Sequence, residues 1–430
     1  MQISLGILGK RRFLPLFLTQ FLGAFNDNLF KQATILLAVF VIYSNPKLEQ
    51  GFTGIAYAAY VLPFFLFSAL AGQMSDALDK ALIIRWIKTI EIGIMFIGAT
   101  GLIFQNIHLL VLVLFLMGTH SSFFGPTKYA ILPQHLGPDE VLSGTSLVEA
   151  GTNIAILAGI IIGGLLGEAP VKAGALVLGT ALLGFVAGRS VPSALPEGPT
   201  GERQIEFNLL RATWHVCADA LKVPQLRLSI AAISLFVIEA SILGVIFAPL
   251  VKNILGGDHY VATLMTVVFA IGVAIGAVII NFLLHGKVSA HYCVMSAIAM
   301  AVCLVLMYVM LNTWPLPAAE DIGQIEWRDF LQNLNAEILM AELLGVAIFG
   351  GMFIVPLYAI LTTTLDKAHA ARVIAANNIL SSAAGVFGGL VAAGMTSIRH
   401  FYLPQTFLVI AAFALLSARV AHRLHQVGAP

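Results

Sequence analysis

Residues 13–43 read FLPLFLTQFLGAFNDNLFKQATILLAVFVIY, and this run decides the fold. A helix needs about 20 apolar residues to cross hydrocarbon. The run from Phe13 to Tyr43 is longer than that, so a helix built on it must tilt or break. Near its middle stand Asn26, Asp27, Asn28 and Lys31. An ionised group at the bilayer centre costs about 2.5–3.5 kcal/mol on the most lenient scale, so these side chains must face a partner or a cavity. Asp27 and Lys31 lie four residues apart with the acid first, the favourable order for a helical ion pair. A pair that merely neutralises itself leaves Asn26 and Asn28, which point elsewhere round the helix, without a role. The reading that covers all of them has Asp27 and its flanking asparagines lining a central cavity and meeting a polar headgroup.

Working outward, the same character extends over the whole chain. Of 430 residues, 59% are apolar and 10% charged, and the mean hydropathy is +0.93. A soluble domain carries roughly 25% charged residues, so this chain cannot cover a water-facing surface. The net charge of +1 comes without any basic run, and no nucleic acid is implied as a partner. Cys217, Cys293 and Cys303 are too few and too poorly spaced for a disulfide framework or a zinc site; no metal and no cofactor is implied. The N-terminus, MQISLGILGKRRFLPLF, starts like a signal peptide. Its apolar run continues past any signal-peptide core without a small-residue cleavage site, so it reads as a retained first helix.

Twelve spans follow, at about 13–43, 52–72, 81–104, 108–127, 141–167, 171–191, 226–254, 260–284, 288–313, 337–363, 372–397 and 402–421. With the N-terminus in the cytoplasm, 17 of the 23 Lys and Arg residues fall at inner loops and helix ends, among them Lys10, Lys80, Arg85, Lys88 and Lys128. Five fall outside: Lys47, Lys172, Lys252, Arg328 and Arg399. The positive-inside rule then predicts both termini on the cytoplasmic side of the membrane.

Residues 192–225 interrupt the spans. They open with the Pro/Gly-rich SVPSALPEGPTG, after which Phe207, Leu210, Trp214, Cys217 and Leu221 recur at helical spacing. This predicts a cytoplasmic linker with an amphipathic helix on the membrane surface, between six-helix bundles at 1–191 and 226–430. An outer loop, 314–335, is acidic, with Glu320, Asp321, Glu326 and Asp329. A repeat supports two halves: Tyr129-Ala-Ile-Leu132 recurs as Tyr358-Ala-Ile-Leu361, with Phe124 opposite Phe353 and Glu149 opposite Asn378 at the same offset. The expected fold is an all-α membrane protein, twelve transmembrane helices in two pseudo-symmetric six-helix bundles, with the substrate between repeats near the midplane.

Between spans two and three runs Gly72-Gln-Met-Ser-Asp76-Ala-Leu-Asp79-Lys80, followed by Arg85. Glycine allows close helix approach and Asp76 can accept hydrogen bonds from a helix N-terminus or an arginine, so Gly72, Asp76, Lys80 and Arg85 form a candidate conformational latch; a solvated loop is the alternative. The spacing resembles the loop motif of the major facilitator superfamily, G-x-x-x-D-R/K-x-G-R/K, with Ala77 in place of the basic residue and Asp79 in place of the second glycine. The matching loop at His285-Gly286-Lys287 keeps almost nothing of it.

A narrower resemblance rests on QFLGAFNDNLFKQA (20–33), FGPTKYAILPQHL (124–136), LVEAGTNIAILAG (147–159) and the segment from FIVPLYAIL to ARVIAANNIL (353–380). These blocks are similar to bacterial lysophospholipid transporters, and equally to the transporter half of proteins in which one is fused to an acylglycerophosphoethanolamine acyltransferase. The resemblance implies alternating-access flipping of lysophosphatidylethanolamine or lysophosphatidylglycerol from the outer to the inner leaflet, without an obligatory ion gradient. Reacylation would then need a cytoplasmic acyltransferase as partner, besides contact with membrane lipids.

Such a cargo needs polar groups for a phosphate headgroup and an apolar opening for one acyl chain. The candidates are Asn26, Asp27, Lys31, Lys128, Glu149, Glu239, Asn377 and Asn378. Lys128 equally fits an interfacial residue snorkelling to water. Some lysophospholipid transporters carry an arginine five residues after the position of Glu239; here that place is Gly244. Glu91 reads as a partner of Lys88 or as placed at a helix interface, and Gly159, Gly163, Gly164, Gly167, Gly385, Gly388, Gly389 and Gly394 as close-packing surfaces. The competing readings are a proton-coupled drug or metabolite transporter of the same fold and a membrane acyltransferase. The second needs a His and Asp spaced H-x4-D, and His215-Val-Cys-Ala-Asp219 is one residue short. The chain is therefore not expected to be an enzyme.

Overall fold

Twelve long helices carry the computed structural model, which describes residues 5–137, 140–195, 208–285, 288–315, 317, 322–363, 367–398 and 402–428. Linker residues 196–207, with Gly286, Lys287, Glu320, Asp321 and Arg399, lie outside the described residues. Labelled in chain order, the long helices are α1 (Leu14–Leu36), α2 (Pro46–Ala77), α3 (Lys80–Ile103), α4 (Ile107–Ala130), α5 (Val141–Leu165) and α6 (Pro170–Arg189). They continue with α7 (Pro224–Leu250), α8 (His259–Leu284), α9 (Cys293–Asn312), α10 (Leu334–Thr363), α11 (Lys367–Met395) and α12 (Gln405–Gly428). Among the described residues there is no strand, only an isolated bridge between Gly257 and Ile325. Eleven of the twelve are long and apolar enough to cross a membrane; the other, α3, carries Lys80, Arg85, Lys88 and Glu91. The chain is an all-α, multi-pass membrane protein.

Local chemistry sets the helix ends. Pro15, Pro170 and Pro224 stand in first turns, where a missing N–H costs no hydrogen bond. Asn106 caps α4 by accepting from the amides of His108 and Leu109, and Asp258 caps α8 by accepting from Val261 N at 3.0 Å. The sequence reading starts α2 at residue 52 and α9 at 288; the structure starts them at Pro46 and Cys293. Both α1 and α7 run on into wider, π-type turns, at Leu37–Ile42 and Val251–Leu255. The predicted amphipathic helix forms as Leu209–Leu221, with Cys217 buried and Trp214 71% exposed.

Two compact units are formed. One contains Met1–Leu37 and Leu62–Thr213, the other Ala38–Val61 and Trp214–Pro430. In the first, α1 packs on α5, α6 and α4, and α3 packs on α4 and α6. In the second, α7 packs on α11, α12 and α10, and α9 on α10 and α12. Every one of these pairings recurs six helices later, so the repeat detected at residues 129 and 358 is a repeat of packing. Close backbone contacts occur in both units. A Cβ added to Gly163 on α5 would lie 2.7 Å from Leu29 O on α1. One added to Gly388 on α11 would lie 2.9 Å from Ile238 O on α7. Backbones approach this closely only where a side chain is missing. Gly394 of the same set meets no described atom within 4 Å.

Candidate functional site

The polar middle of α1 is built against α3 and α4. Asn26 is fully buried and its Nδ2 donates to Glu91 Oε1 on α3 at 3.2 Å. Glu91 Oε2 also accepts from Lys88 Nζ at 2.6 Å and has His120 Nε2 of α4 at 3.2 Å. Next in sequence, Ser121 donates to Asp27 Oδ2 at 2.5 Å, and its Oγ lies 3.2 Å from His120 Nδ1. Asp27 Oδ1 is buried and has no hydrogen-bond partner. Lys31 Nζ donates to Asn28 Oδ1 at 3.0 Å. The polar side chains of α1 therefore do not share one destination. Asn26 points at a carboxylate inside the bundle, Asp27 at a serine, and Asn28 and Lys31 at each other.

Lys88 is the correction here. Counted by position among the inner charges, it is 1% exposed, within the bundle. Three glycines make its slot: added Cβ atoms at Gly23, Gly188 and Gly184 would lie 2.8, 3.1 and 3.5 Å from its side chain. The Lys88–Glu91 pairing expected from their spacing is present. A buried pair of this kind needs its remaining hydrogen bonds met, which Asn26 and His120 do for Glu91.

A second polar group runs from α1 to α4 and α5. Thr152 Oγ1 on α5 donates to Gln20 Oε1 at 2.6 Å, and Lys128 Nζ lies 3.4 Å from that same hydroxyl. Lys128 is half-buried and its ammonium sits 4.7 Å above the Tyr129 ring; the Tyr129 hydroxyl donates to Glu149. Gln20 Nε2 is buried without a partner. In the second unit, Tyr358 at the end of α10 hydrogen-bonds Asn377 of α11, the counterpart of Tyr129 and Glu149 at nearly the repeat offset. Asn377 is fully buried, whereas Asn378 is exposed.

Glu239 departs from expectation. It is 2% exposed and its Oε1 accepts from Ser417 Oγ of α12 at 2.6 Å. The turn of α7 aims it into the interface with α12, not toward an open polar surface. Of the eight residues expected to meet a headgroup, Asn26, Asp27, Glu239 and Asn377 are buried, while Lys31 and Lys128 are partly open and Glu149 and Asn378 exposed.

The loop after α2 is also arranged differently from its motif. A Cβ added at Gly72 meets no described atom within 4 Å, so close approach does not require glycine there. Asp76 is exposed on the last turn of α2. The residue that organises the loop is Asp79, read above as a departure. It caps α3 through Ala81 N at 2.9 Å and gathers Ser193 Oγ at 2.6 Å and Ala194 N at 2.9 Å. Lys80 N bonds Ala194 O at 3.1 Å, and Arg85 Nη2 donates to Val191 O at 3.0 Å. Partial burial pushes the Asp79 carboxyl up, but the Ser193 hydroxyl and the Ala194, Ala81 and Leu82 amides together hold it below the usual carboxylate range. These contacts fasten α3 to the segment after α6.

Sequence reasoning missed His120, Ser121, Gln20, Thr152 and Ser417. A signal for the first two existed, since His120-Ser121-Ser122 is a polar triplet inside an apolar span.

Comparison with known proteins follows this geometry. The family model described as Major Facilitator Superfamily matches residues 16–320. A lysophospholipid transporter, LplT, of Shigella sonnei (strain Ss046) is 27% identical over 369 residues, covering 84% of this chain and 82% of that protein. LplT of Escherichia coli O9:H4 (strain HS) is 26% identical over the same length. Among solved structures, a D-xylose-proton symporter aligns with a TM-score of 0.67 at 14% identity, over 96% of each chain. A bacterial homolog to the human lysosomal transporter Spinster, inward-facing and unoccupied, aligns with a TM-score of 0.62 at 15% identity, over 96% of this chain and 98% of that one.

Proposed function

The chain belongs to the Major Facilitator Superfamily and is a transporter, and from that premise we propose that it moves lysophospholipids. The cargo would be lysophosphatidylethanolamine or lysophosphatidylglycerol, flipped from the outer to the inner leaflet of a bacterial inner membrane for reacylation. Both termini would be cytoplasmic, and a cytoplasmic acyltransferase would consume the product. Transport rather than catalysis is the role this reading assigns.

The observation that carries the headgroup assignment is the half-buried ammonium of Lys128 beside the Thr152 hydroxyl at 3.4 Å. A cation with hydroxyl, amide and carboxylate neighbours offers a phosphodiester a charge partner and donors, and offers an ethanolamine ammonium or glycerol hydroxyls the Glu149 carboxylate. Gln20 supplies a buried donor without a partner. Lys31, partly open on α1, is a further cation of the same unit. The relatives named as lysophospholipid transporters, similar over 84% of the chain, support the substrate class.

A second reading, a proton-coupled drug or metabolite transporter of the same fold, draws on the buried Asp27–Ser121–His120 chain. Competition binding separates the two. Labelled lysophosphatidylethanolamine bound to the purified protein should be displaced by lysophosphatidylglycerol and not by cationic drugs or small metabolites. Displacement by the latter alone would transfer the assignment to the second reading.

A further inference from the structure

We propose that the buried cluster centred on His120 is a proton-binding site, holding one proton that passes between His120 and Asp27 through the Ser121 hydroxyl. It deepens the transport reading, since it places a titrating group beside the polar middle of α1.

An ionised Glu91 only accepts, and its Oε2 faces both Lys88 Nζ at 2.6 Å and His120 Nε2 at 3.2 Å. His120 Nε2 must therefore carry hydrogen. On the other side of the ring, Nδ1 faces Met117 O at 3.4 Å, which also only accepts, and Ser121 Oγ at 3.2 Å. Ser121 has one hydrogen, and it is directed at Asp27 Oδ2 across 2.5 Å. Its oxygen can then only accept from the ring, so Nδ1 must carry hydrogen too. With both carboxylates ionised, His120 is an imidazolium. A neutral imidazole would then leave a bare nitrogen facing the Met117 carbonyl and the Ser121 oxygen in a buried site.

One rearrangement needs no outside reactant. The Nδ1 proton passes to Ser121 Oγ while the serine's own proton passes to Asp27 Oδ2. The N–H and O–H bonds broken are replaced by two O–H bonds, and an imidazolium–carboxylate pair becomes a neutral imidazole and a neutral acid. Asp27 Oδ1, which has no partner, then belongs either to an anion or to a carboxylic acid, and any headgroup approaching it meets a different charge. The charged groups around the ring are Glu91 and Lys88 on α3 and Asp27 on α1, with Lys31 of α1 acting on Asp27; α2 meets α4 through the Phe67–Phe123 ring contact. Glycines 184 and 188 of α6 contribute no charge to the slot.

The test uses the full-length protein, purified in detergent with histidine labelled by ¹⁵N, and the His120 signals assigned by their loss in His120→Gln. The expected spectrum near neutral pH has both ring nitrogens of His120 protonated, and Asp27→Asn makes His120 release its proton at lower pH than wild type does. His120 signals that do not change with pH in wild type and are unmoved by Asp27→Asn would overturn the proposal. Lysophospholipid flipping is then followed against pH in proteoliposomes with equal pH on both sides. The expected profile has a one-proton step, lost in His120→Gln and displaced in Ser121→Ala, a variant that removes no charge. Identical profiles in all three would overturn the relay. If wild type flips no lysophospholipid, the substrate reading fails while the spectra still decide the proton site.

Discussion

Lys252 Nζ lies 2.8 Å from Glu49 Oε1, and the same ammonium is held by Val39 O at 2.5 Å and Tyr43 O at 2.8 Å. Asn253 Nδ2 donates to the other carboxylate oxygen at 2.5 Å. The Glu49 side chain is wholly buried. This pair ties the wide-turn extensions of α1 and α7 to the start of α2. Breaking a buried pair from one side strands a charge, which typically costs about 3–5 kcal/mol. Glu49→Ala should lower unfolding stability in detergent by about that amount, and adding Lys252→Met should recover most of it. A double variant as unstable as the single one would show that the charge is not what matters.

Gly163 on α5 and Gly388 on α11 each sit against a backbone carbonyl, of α1 and of α7 respectively. A methyl group at either meets a backbone carbonyl within 3 Å, and overpacking of this kind costs about 1–3 kcal/mol. Gly163→Ala and Gly388→Ala should each lower the melting temperature, while Gly394→Ala, with open space around its added carbon, should not.

Asp79 gives a pH dependence whose sign can be worked out. Its carboxyl is held below the usual range in the folded chain, so its contribution to stability is present above that range and is lost as pH falls through the depressed value. Wild type should therefore exceed Asp79→Asn in melting temperature at neutral pH, with the gap closing under acid conditions. A gap that persists unchanged into acid would remove the carboxylate from the account.

Lys128 is expected to act through charge and reach. Lys128→Ala should weaken binding of lysophosphatidylglycerol and lysophosphatidylethanolamine by about tenfold, the equivalent of 1.4 kcal/mol, and Lys128→Arg should retain most of it. Equal affinity in wild type and Lys128→Ala would leave it an interfacial lysine only.

Much of the fold was legible because hydropathy is a local signal. The spans, the pairing of Lys88 with Glu91 and the packing glycines of α5 and α11 were all read from spacing. What hydropathy obscured were charges buried by distant partners. The sequence reading starts α2 at residue 52, past Lys47, Glu49 and Gln50, yet Glu49 lies inside the helix and is buried with Lys252, more than two hundred residues away. Position along the chain places Lys88 among the inner charges, whereas its buried slot comes from glycines on α1 and α6 that spacing does not reveal. Asp79 departs from the loop motif, which has glycine there, although a cap needs only one carboxylate at the right turn. His120 and Ser121 carried a visible polar signal, but their partners on α1 and α3 come from packing, which no spacing rule supplies.

The account's central claim is movement of a lysophospholipid by a transporter whose first helix carries Asp27. Its most direct test is the rate at which labelled lysophosphatidylethanolamine crosses between leaflets of liposomes containing the purified protein. Wild type should flip it faster than empty liposomes, and Asp27→Ala should be slower than wild type. Equal rates in wild-type and empty liposomes would contradict the account.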